Sequence, residues 1–192
     1  ALKDDQQEAG LIATSTIDIE IQVERPGSLH LHQTSGKQKR DLYLHEGKLT
    51  LYDATNAYYA TATVPETIEG GMDYALNELG IELPLIDLIF NDVFSRLTTK
   101  TDDLIYLGDG INIDGVDCHQ LAIRTEEVDV QLWVQEDGQS LPRRIIITSK
   151  WEGGAPRFVA RMAWNTEADI PTDEFKFEPP KKSNQIQFDL SD

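Results

Sequence analysis

Cysteine occurs once in these 192 residues, at Cys118. An internal disulfide is therefore impossible, and cysteine usage does not mark a compartment. Long apolar runs are missing too: the longest, "LPLIDLIF", is far below the roughly 20 residues that a membrane-spanning helix needs. Basic residues are scarce, with 17 Lys and Arg against 34 Asp and Glu, and the formal charge is -17. Phosphate backbones repel such a chain, so no nucleic-acid partner is expected. The one short basic run, "KQKR" at 37–40, reads as a solvated loop tip. Catalytic signatures are absent as well: there is no "GxSxG", no phosphate loop with its lysine, no dinucleotide fingerprint and no "HExxH". The glycines of "GDGINIDGVD" lack the ligand spacing and terminal glutamate of a calcium loop. A non-enzymatic protein without a cofactor is the expectation.

What is present is strand after strand. A chain of this length buries a core without covalent staples, and one domain over 1–180 with a polar tail at 181–192 accounts for it. Ile17, Ile19, Ile21 and Val23 alternate with Asp18, Glu20, Gln22 and Glu24, the pattern of a half-buried strand that stops at Pro26-Gly27. "SLHLHQ", "RDLYLHEG", "KLTLYD" and "AYYATAT" follow with turns between them, so neighbours are antiparallel. The period then changes. Met72, Ala75, Leu76 and Leu79 fall at i, i+3, i+4 and i+7, which predicts a helix over 70–79 with Gly80 just past its end. Pro84 opens a second predicted helix over 84–96, with Leu85, Leu88 and Ile89 on one stripe and Ile86, Phe90, Val93, Phe94 and Leu97 on another. Strands resume near Thr101: "DLIYLGD", "GINIDG", "DCHQLAIRT", a hairpin over 128–150, "RFVARMAWN" and a last short "EFKFEPP". Ten or eleven antiparallel strands interrupted by two short helices describe an α+β domain, its sheet either curled toward a barrel or held open around the helices.

The hairpin raises the functional question. Taking Asp137-Gly138 as its turn sets Val134 opposite Leu141, Val130 opposite Ile145 and Val128 opposite Ile147. One face is then Val128, Val130, Leu132, Ile145 and Ile147, broken only by Arg143. The other carries Asp129, Gln131, Trp133, Gln135, Arg144, Thr148 and Lys150 and is expected to meet water, Ile146 excepted. A loop longer by two residues shifts the register and keeps this parity. Two helices of about a dozen residues, each near ~18 Å long at about 1.5 Å per residue, cannot tile the inner face of so many strands spaced about 4.8 Å apart. The surplus predicts an apolar cavity or groove. Its lining is expected from Ile17, Ile19, Ile21, Leu29, Leu31, Leu42, Leu44, Leu49 and Leu51 in the early strands, and from Met72, Leu76, Leu79, Leu85, Leu88 and Ile89 in the helices. Val128, Val130, Leu132, Arg143, Ile145 and Ile147 complete it. An acyl chain suits such a space, because burial is worth about 0.8 kcal/mol per methylene and needs few polar contacts. In the competing reading the sheet curls until its own side chains fill the interior, leaving no site.

Candidate chemistry is thinner. If the Ser35-Gly36 hairpin puts Leu29, Leu31, Leu42 and Leu44 on one face, then His30, His32, Tyr43 and His45 share the other, and three histidines are a donor set for zinc. That face is expected on the solvent side, where Asp41 and Glu46 satisfy the imidazoles without a metal. Cys118-His119 is not a nucleophile and base pair, since adjacent strand residues point to opposite faces. Cys118 reads as a small buried apolar residue. Trp133, Trp151 and Trp164, with Tyr52, Tyr58 and Tyr59, are strand aromatics that choose no function by themselves.

Several segments carry a resemblance, in order along about residues 17–180: "IQVERPGSLHL", "LYLHEGKLTLYDATNAYYA", "LGIELPLIDLI", "GINIDGVDCHQLAI", "VQLWVQEDGQSLPRRIII" and "FKFEPP". Together they resemble a bacterial family of predicted periplasmic proteins of unknown function that is grouped with the outer-membrane lipoprotein carriers, the LolA and LolB superfamily. The resemblance implies an incomplete, half-open antiparallel β-barrel curved around a helical lid. Its hydrophobic cavity, in the carriers, accepts acyl chains of lipoproteins. It also implies export to the periplasm with a signal peptide removed, and the opening at "ALKDDQQ" without an initiator Met fits a processed or trimmed chain. No catalytic residues come with the family. The carriers' inward arginine, which ties lid to sheet, has no match here, and Arg143 is only its positional candidate. The expected partner is a hydrophobic ligand or a lipidated protein, bound by a monomer without a transmembrane segment. Two alternatives stand beside it: a sensing module whose apolar groove binds a protein partner, and a metal enzyme built on His30, His32 and His45.

Overall fold

The computed structural model describes residues 16–81, 83, 85–91, 101, 103–151 and 156–188. The chain divides into two compact units, Ala1–Pro84 with Asp169–Asp192, and Leu85–Ala168. The first unit holds a six-stranded sheet in the order β1-β2-β3-β4-β5-β11. Its strands are β1 (Asp18–Glu24), β2 (Ser28–Ser35), β3 (Gln38–His45), β4 (Lys48–Asp53), β5 (Tyr58–Thr63) and β11 (Asn184–Ile186). The first five form an antiparallel meander, and β11 lies parallel to β5. Two cross-strand rows explain the meander: Val23, Leu29, Leu44, Leu49 and Ala62 stand side by side, as do Ile21, Leu31, Leu42, Leu51 and Ala60. Facing side chains of this kind are the unit of sheet stabilisation. Leu29, Leu44 and Leu49 are fully shielded from solvent.

Helix α1 (Ile68–Asn77) closes over that face. Thr67 starts it, its hydroxyl accepting from the Gly70 N–H at 3.1 Å, and Glu69 sits favourably against the N-terminal dipole. The buried stripe is Ile68, Gly71, Met72 and Ala75, whereas Leu76 is 51% exposed. Sequence reasoning placed the stripe about one position round, because a glycine carries no hydropathy signal. Gly71 belongs to it for a steric reason: a Cβ there would stand 2.8 Å from Leu44 Cδ2. Past the helix, Gly80 at φ 62° turns the chain, and the Ile81 N–H returns to the Ala75 carbonyl at 2.9 Å.

The second unit holds the sheet β10-β9-β8-β7-β6, all antiparallel. Its strands are β6 (Asp103–Ile113), β7 (Val116–Arg124), β8 (Val128–Gln135), β9 (Pro142–Ser149) and β10 (Arg157–Arg161). In the hairpin, Val130 pairs with Ile147 and Leu132 with Ile145, a register two residues away from the tightest turn and with the expected parity. A ladder irregularity then pairs Val134 with Pro142 directly after Trp133 with Arg144, so Arg143 has no cross-strand partner. Val130, Leu132, Ile123 and Ile145 form a buried cluster on which Leu85, Leu121, Val128, Val134, Ile147, Ala160 and Met162 pack.

Four expectations need correction. The second predicted helix is a 3-10 turn at Ile86–Ile89, where the Leu88 N–H donates to Leu85 O, and 92–96 lies outside the described residues. "EFKFEPP" is not a strand: Thr172–Phe175 is a 3-10 turn, and the eleventh strand is β11, inside the polar tail. Trp133 does not face water, being 6% exposed in a second cluster with Ile113 and Cys118 on the opposite sheet face. The strands do not share one curved sheet. They are split between sheets of six and five, with no closed barrel among the described residues.

Candidate functional site

A cleft of about 460 Å³ opens on the leucine face of the six-stranded sheet. Its floor is one cross-strand row, Leu31, Leu42 and Leu51, fixed by the period-two alternation of β2, β3 and β4. Leu79, Gly80, Ile81 and Leu83, the segment that Gly80 turns after α1, form another wall, and Phe188 contributes from the C-terminal side. Gln33 and Arg40 pair across the β2–β3 ladder one row beyond Leu31 and Leu42, and both line the cleft. The site is therefore apolar at its floor and polar at one edge.

Asp41 also borders the cleft, but its carboxylate is engaged on the other face of the sheet. One oxygen, Oδ1, lies 2.7 Å from His32 Nδ1 and 3.3 Å from His30 Nε2. Burial alone would raise this carboxyl; the hydrogen bonds to His30 and His32, and their charge when protonated, outweigh it and hold the carboxyl below its ordinary value. His45 Nδ1 is 3.0 Å from the Ser28 hydroxyl, and His30 stacks on Tyr43 at 4.2 Å between ring centroids. This histidine face was expected to meet water and does so only in part: the His32 side chain is 40% exposed, those of His30 and His45 only 17% and 18%. Phe177 lies against Tyr43, Tyr52 and Tyr59, and the turn carrying the fully buried Phe175 packs on β2 and β3. Burial, with the charges of Asp41, Glu174 and Tyr52, pushes the Tyr43 hydroxyl up to about 12. Among the described residues no group of three or more His, Cys, Asp or Glu is arranged to hold a metal. Each imidazole of the proposed metal trio already has a side-chain partner.

The expected lining residues separate by role. Leu31, Leu42, Leu51 and Leu79 come together at the cleft, Leu51 and Leu79 half-buried and Leu31 and Leu42 only 2% and 1% exposed beneath it. Leu29, Leu44, Leu49 and Met72 are sealed in the core beside it, Leu76 points to solvent, and Ile17, Ile19 and Ile21 are half-buried on or beside β1. Leu85, Leu88, Ile89, Val128, Val130, Leu132, Arg143, Ile145 and Ile147 belong to the second unit. There Val130, Leu132 and Ile145 are buried in that unit's own core, and Arg143 is half-buried with its Nε shielded and without a hydrogen-bond partner. Sequence reasoning missed Gln33, Arg40, Ile81, Leu83 and Phe188. For Gln33 and Arg40 a signal existed, since they continue the parity of Leu31 and Leu42. For Phe188 none did. Cys118 and His119 do point apart: Cys118 is fully buried, and His119 meets the Tyr106 hydroxyl at 3.1 Å.

No helix among the described residues is long and apolar enough to cross a membrane, a statement that says nothing of strands. A search of the curated proteins gave no match to this chain. A family model described as "Predicted periplasmic protein (DUF2092)" matches residues 1–189. That match spans both units and both sheets, and the chain therefore belongs to this family of predicted periplasmic proteins.

Proposed function

We propose that this protein is a non-enzymatic binder of a hydrophobic ligand, a lipid or the acyl chains of a lipoprotein, held in the cleft of the six-stranded sheet. The observation that carries the reading is the cleft itself: about 460 Å³ over a floor of Leu31, Leu42 and Leu51, within the roughly 300–1,000 Å³ range of small-molecule sites. A periplasmic setting supports the reading further, because an acyl chain in an aqueous compartment between membranes needs an apolar cover worth about 0.8 kcal/mol per methylene. A carrier role, with the sheet and lid of the LolA and LolB superfamily, is part of this proposal. Native mass spectrometry of gently purified protein, followed by lipid extraction, tests it. Bound lipid that is lost in Leu79→Trp, a substitution that fills the cleft from its half-exposed wall, is the expected result. Repeated absence of bound or bindable lipid overturns the reading.

A second reading, an interaction module that receives a protein segment, is favoured by strand β6. This is the edge strand of its sheet, and Leu104, Tyr106 and Leu107 on it are 45%, 55% and 50% exposed. A long apolar edge is a template for an added strand. A photo-crosslinker at Leu107 that captures one envelope protein, in a variant whose cleft is blocked, distinguishes this reading from the first.

A further inference from the structure

The short basic run at 37–40 is more than a solvated tip. It forms the end of the β2–β3 hairpin, and its last residue, Arg40, lines the cleft on the same sheet face as Leu42. Arg40 thus places one positive charge at the edge of an apolar opening, in a chain whose formal charge is -17. Such a protein repels free anions in general, so a local cationic site at the cleft selects for what enters there.

Neither of the two neighbouring carboxylates is bonded to Arg40. Asp53 stands opposite Arg40 in the β3–β4 register, but its oxygens accept from the Thr55 and Asn56 N–H groups at 2.9 and 3.0 Å and from Asn56 Nδ2 at 2.9 Å. Asp41 is turned to the opposite face and bound to His30 and His32. Arg40 is exposed, and among the described residues its guanidinium makes no ion pair within 4 Å; its charge and that of Asp53 act on each other at longer range. Its planar fork matches carboxylate or phosphate oxygens in a bidentate way, and the Gln33 amide beside it adds a further donor.

We propose, resting on the hydrophobic-ligand reading above, that the cleft takes an anionic single-chain amphiphile. Its chain lies against Leu51 and Leu79, above the nearly sealed Leu31 and Leu42, and its carboxylate or phosphate headgroup is held by Arg40 with Gln33. The test titrates the full chain with palmitate, hexadecyl phosphate and hexadecanol, each below its micelle threshold, by calorimetry at low ionic strength. At least one of the two anions binds about three- to tenfold tighter than the alcohol, as an ion pair at a partly exposed site allows, and added salt narrows the gap. Which anion is preferred tells a fatty acid from a phosphate-headed lipid. Arg40→Gln, at an exposed position and checked for an unchanged circular dichroism spectrum, closes the gap between the anions and hexadecanol; Arg40→Lys keeps part of the preference. Equal binding of all three ligands to the unmodified protein, or a gap that persists in Arg40→Gln, overturns this inference and leaves the binding reading standing. Failure of all three to bind overturns the binding reading itself.

Discussion

Gly71→Ala sets two magnitudes against each other and decides whether α1 really presses on the sheet. By propensity alone the change is favourable, since alanine inside a helix gains about 1 kcal/mol over glycine. The structure reverses the sign. The new Cβ would meet Leu44 Cδ2 at 2.8 Å and Cδ1 at 3.1 Å. Those methyls are the end of a side chain and would swing aside on a surface, but Leu44 is sealed from solvent between the equally sealed Leu29 and Leu49, its partners across the ladder. Overpacking a filled core costs about 1–3 kcal/mol, so a net loss of about 1 kcal/mol is expected after the propensity gain. All three tryptophans, Trp133, Trp151 and Trp164, lie in the other unit, so their fluorescence does not report on this site. Urea unfolding followed by far-ultraviolet circular dichroism, with hydrogen exchange resolved on 68–77, reads the loss directly. The double variant Gly71→Ala with Leu44→Ala must lose less than the two single losses summed, because the second change removes the methyls that the first collides with. Stabilisation by Gly71→Ala, or strict additivity with Leu44→Ala, would refute the packing argument and with it the close seating of α1 on Leu44.

Other outcomes follow from the opposite sheet face and the caps. The Asp41 carboxyl is depressed in the folded state, so its contribution is present above the unfolded value near ~3.9 and is lost as pH falls through the lower folded value. Asp41→Asn should therefore lower stability at neutral pH by about 1–3 kcal/mol and flatten the acid limb of the stability curve; an unchanged limb counts against the His30–Asp41–His32 bridge. Tyr43 is raised to about 12, so the folded state is favoured below an ordinary tyrosine value near ~10 and loses that advantage between the two. A spectroscopic titration should show one tyrosine ionising late, and Tyr43→Phe should remove it. Thr67→Ala deletes the hydroxyl that accepts from Gly70 N–H and should cost about 1 kcal/mol by denaturant midpoint. Cys118, whose thiol burial pushes up, should resist a thiol reagent until the chain unfolds; fast labelling of native protein would contradict its packing against Ile113 and Trp133.

Much of the sheet was legible because strand parity is a local property. The alternation of Leu29, Leu31, Leu42 and Leu44 with His30, His32, Tyr43 and His45 assigned both faces of the first hairpin, and the β2–β3 register agrees residue by residue. Parity in the second hairpin survived a register error of two residues for the same reason. What hydropathy could not supply was which element covers which face. Phe175 and Phe177 alternate like a strand, yet Phe177 returns over Tyr43, Tyr52 and Tyr59, a contact between positions more than a hundred residues apart. Trp133 looked outward by parity and is buried all the same, because Ile113, Cys118 and the Arg144 guanidinium crowd round it on that face.

The same distinction explains why the site was half-readable. The leucine row that floors the cleft is written in the alternation of three adjacent strands, and any reading of parity finds it. The surplus of apolar area was argued from two helices failing to cover one sheet, whereas the strands divide into two units, each with its own buried cluster. The argument nevertheless ends at a real opening, because within the first unit a ten-residue helix is short beside a sheet of six strands. A helix of that length spans about 15 Å, while six strands at about 4.8 Å spacing cover roughly 24 Å. The uncovered part of the leucine face is where Leu79, Ile81 and Leu83 approach without filling the space, and where Arg40 stands at the edge. Coverage counted per sheet, and not per chain, is what leaves an opening in a fold of this kind.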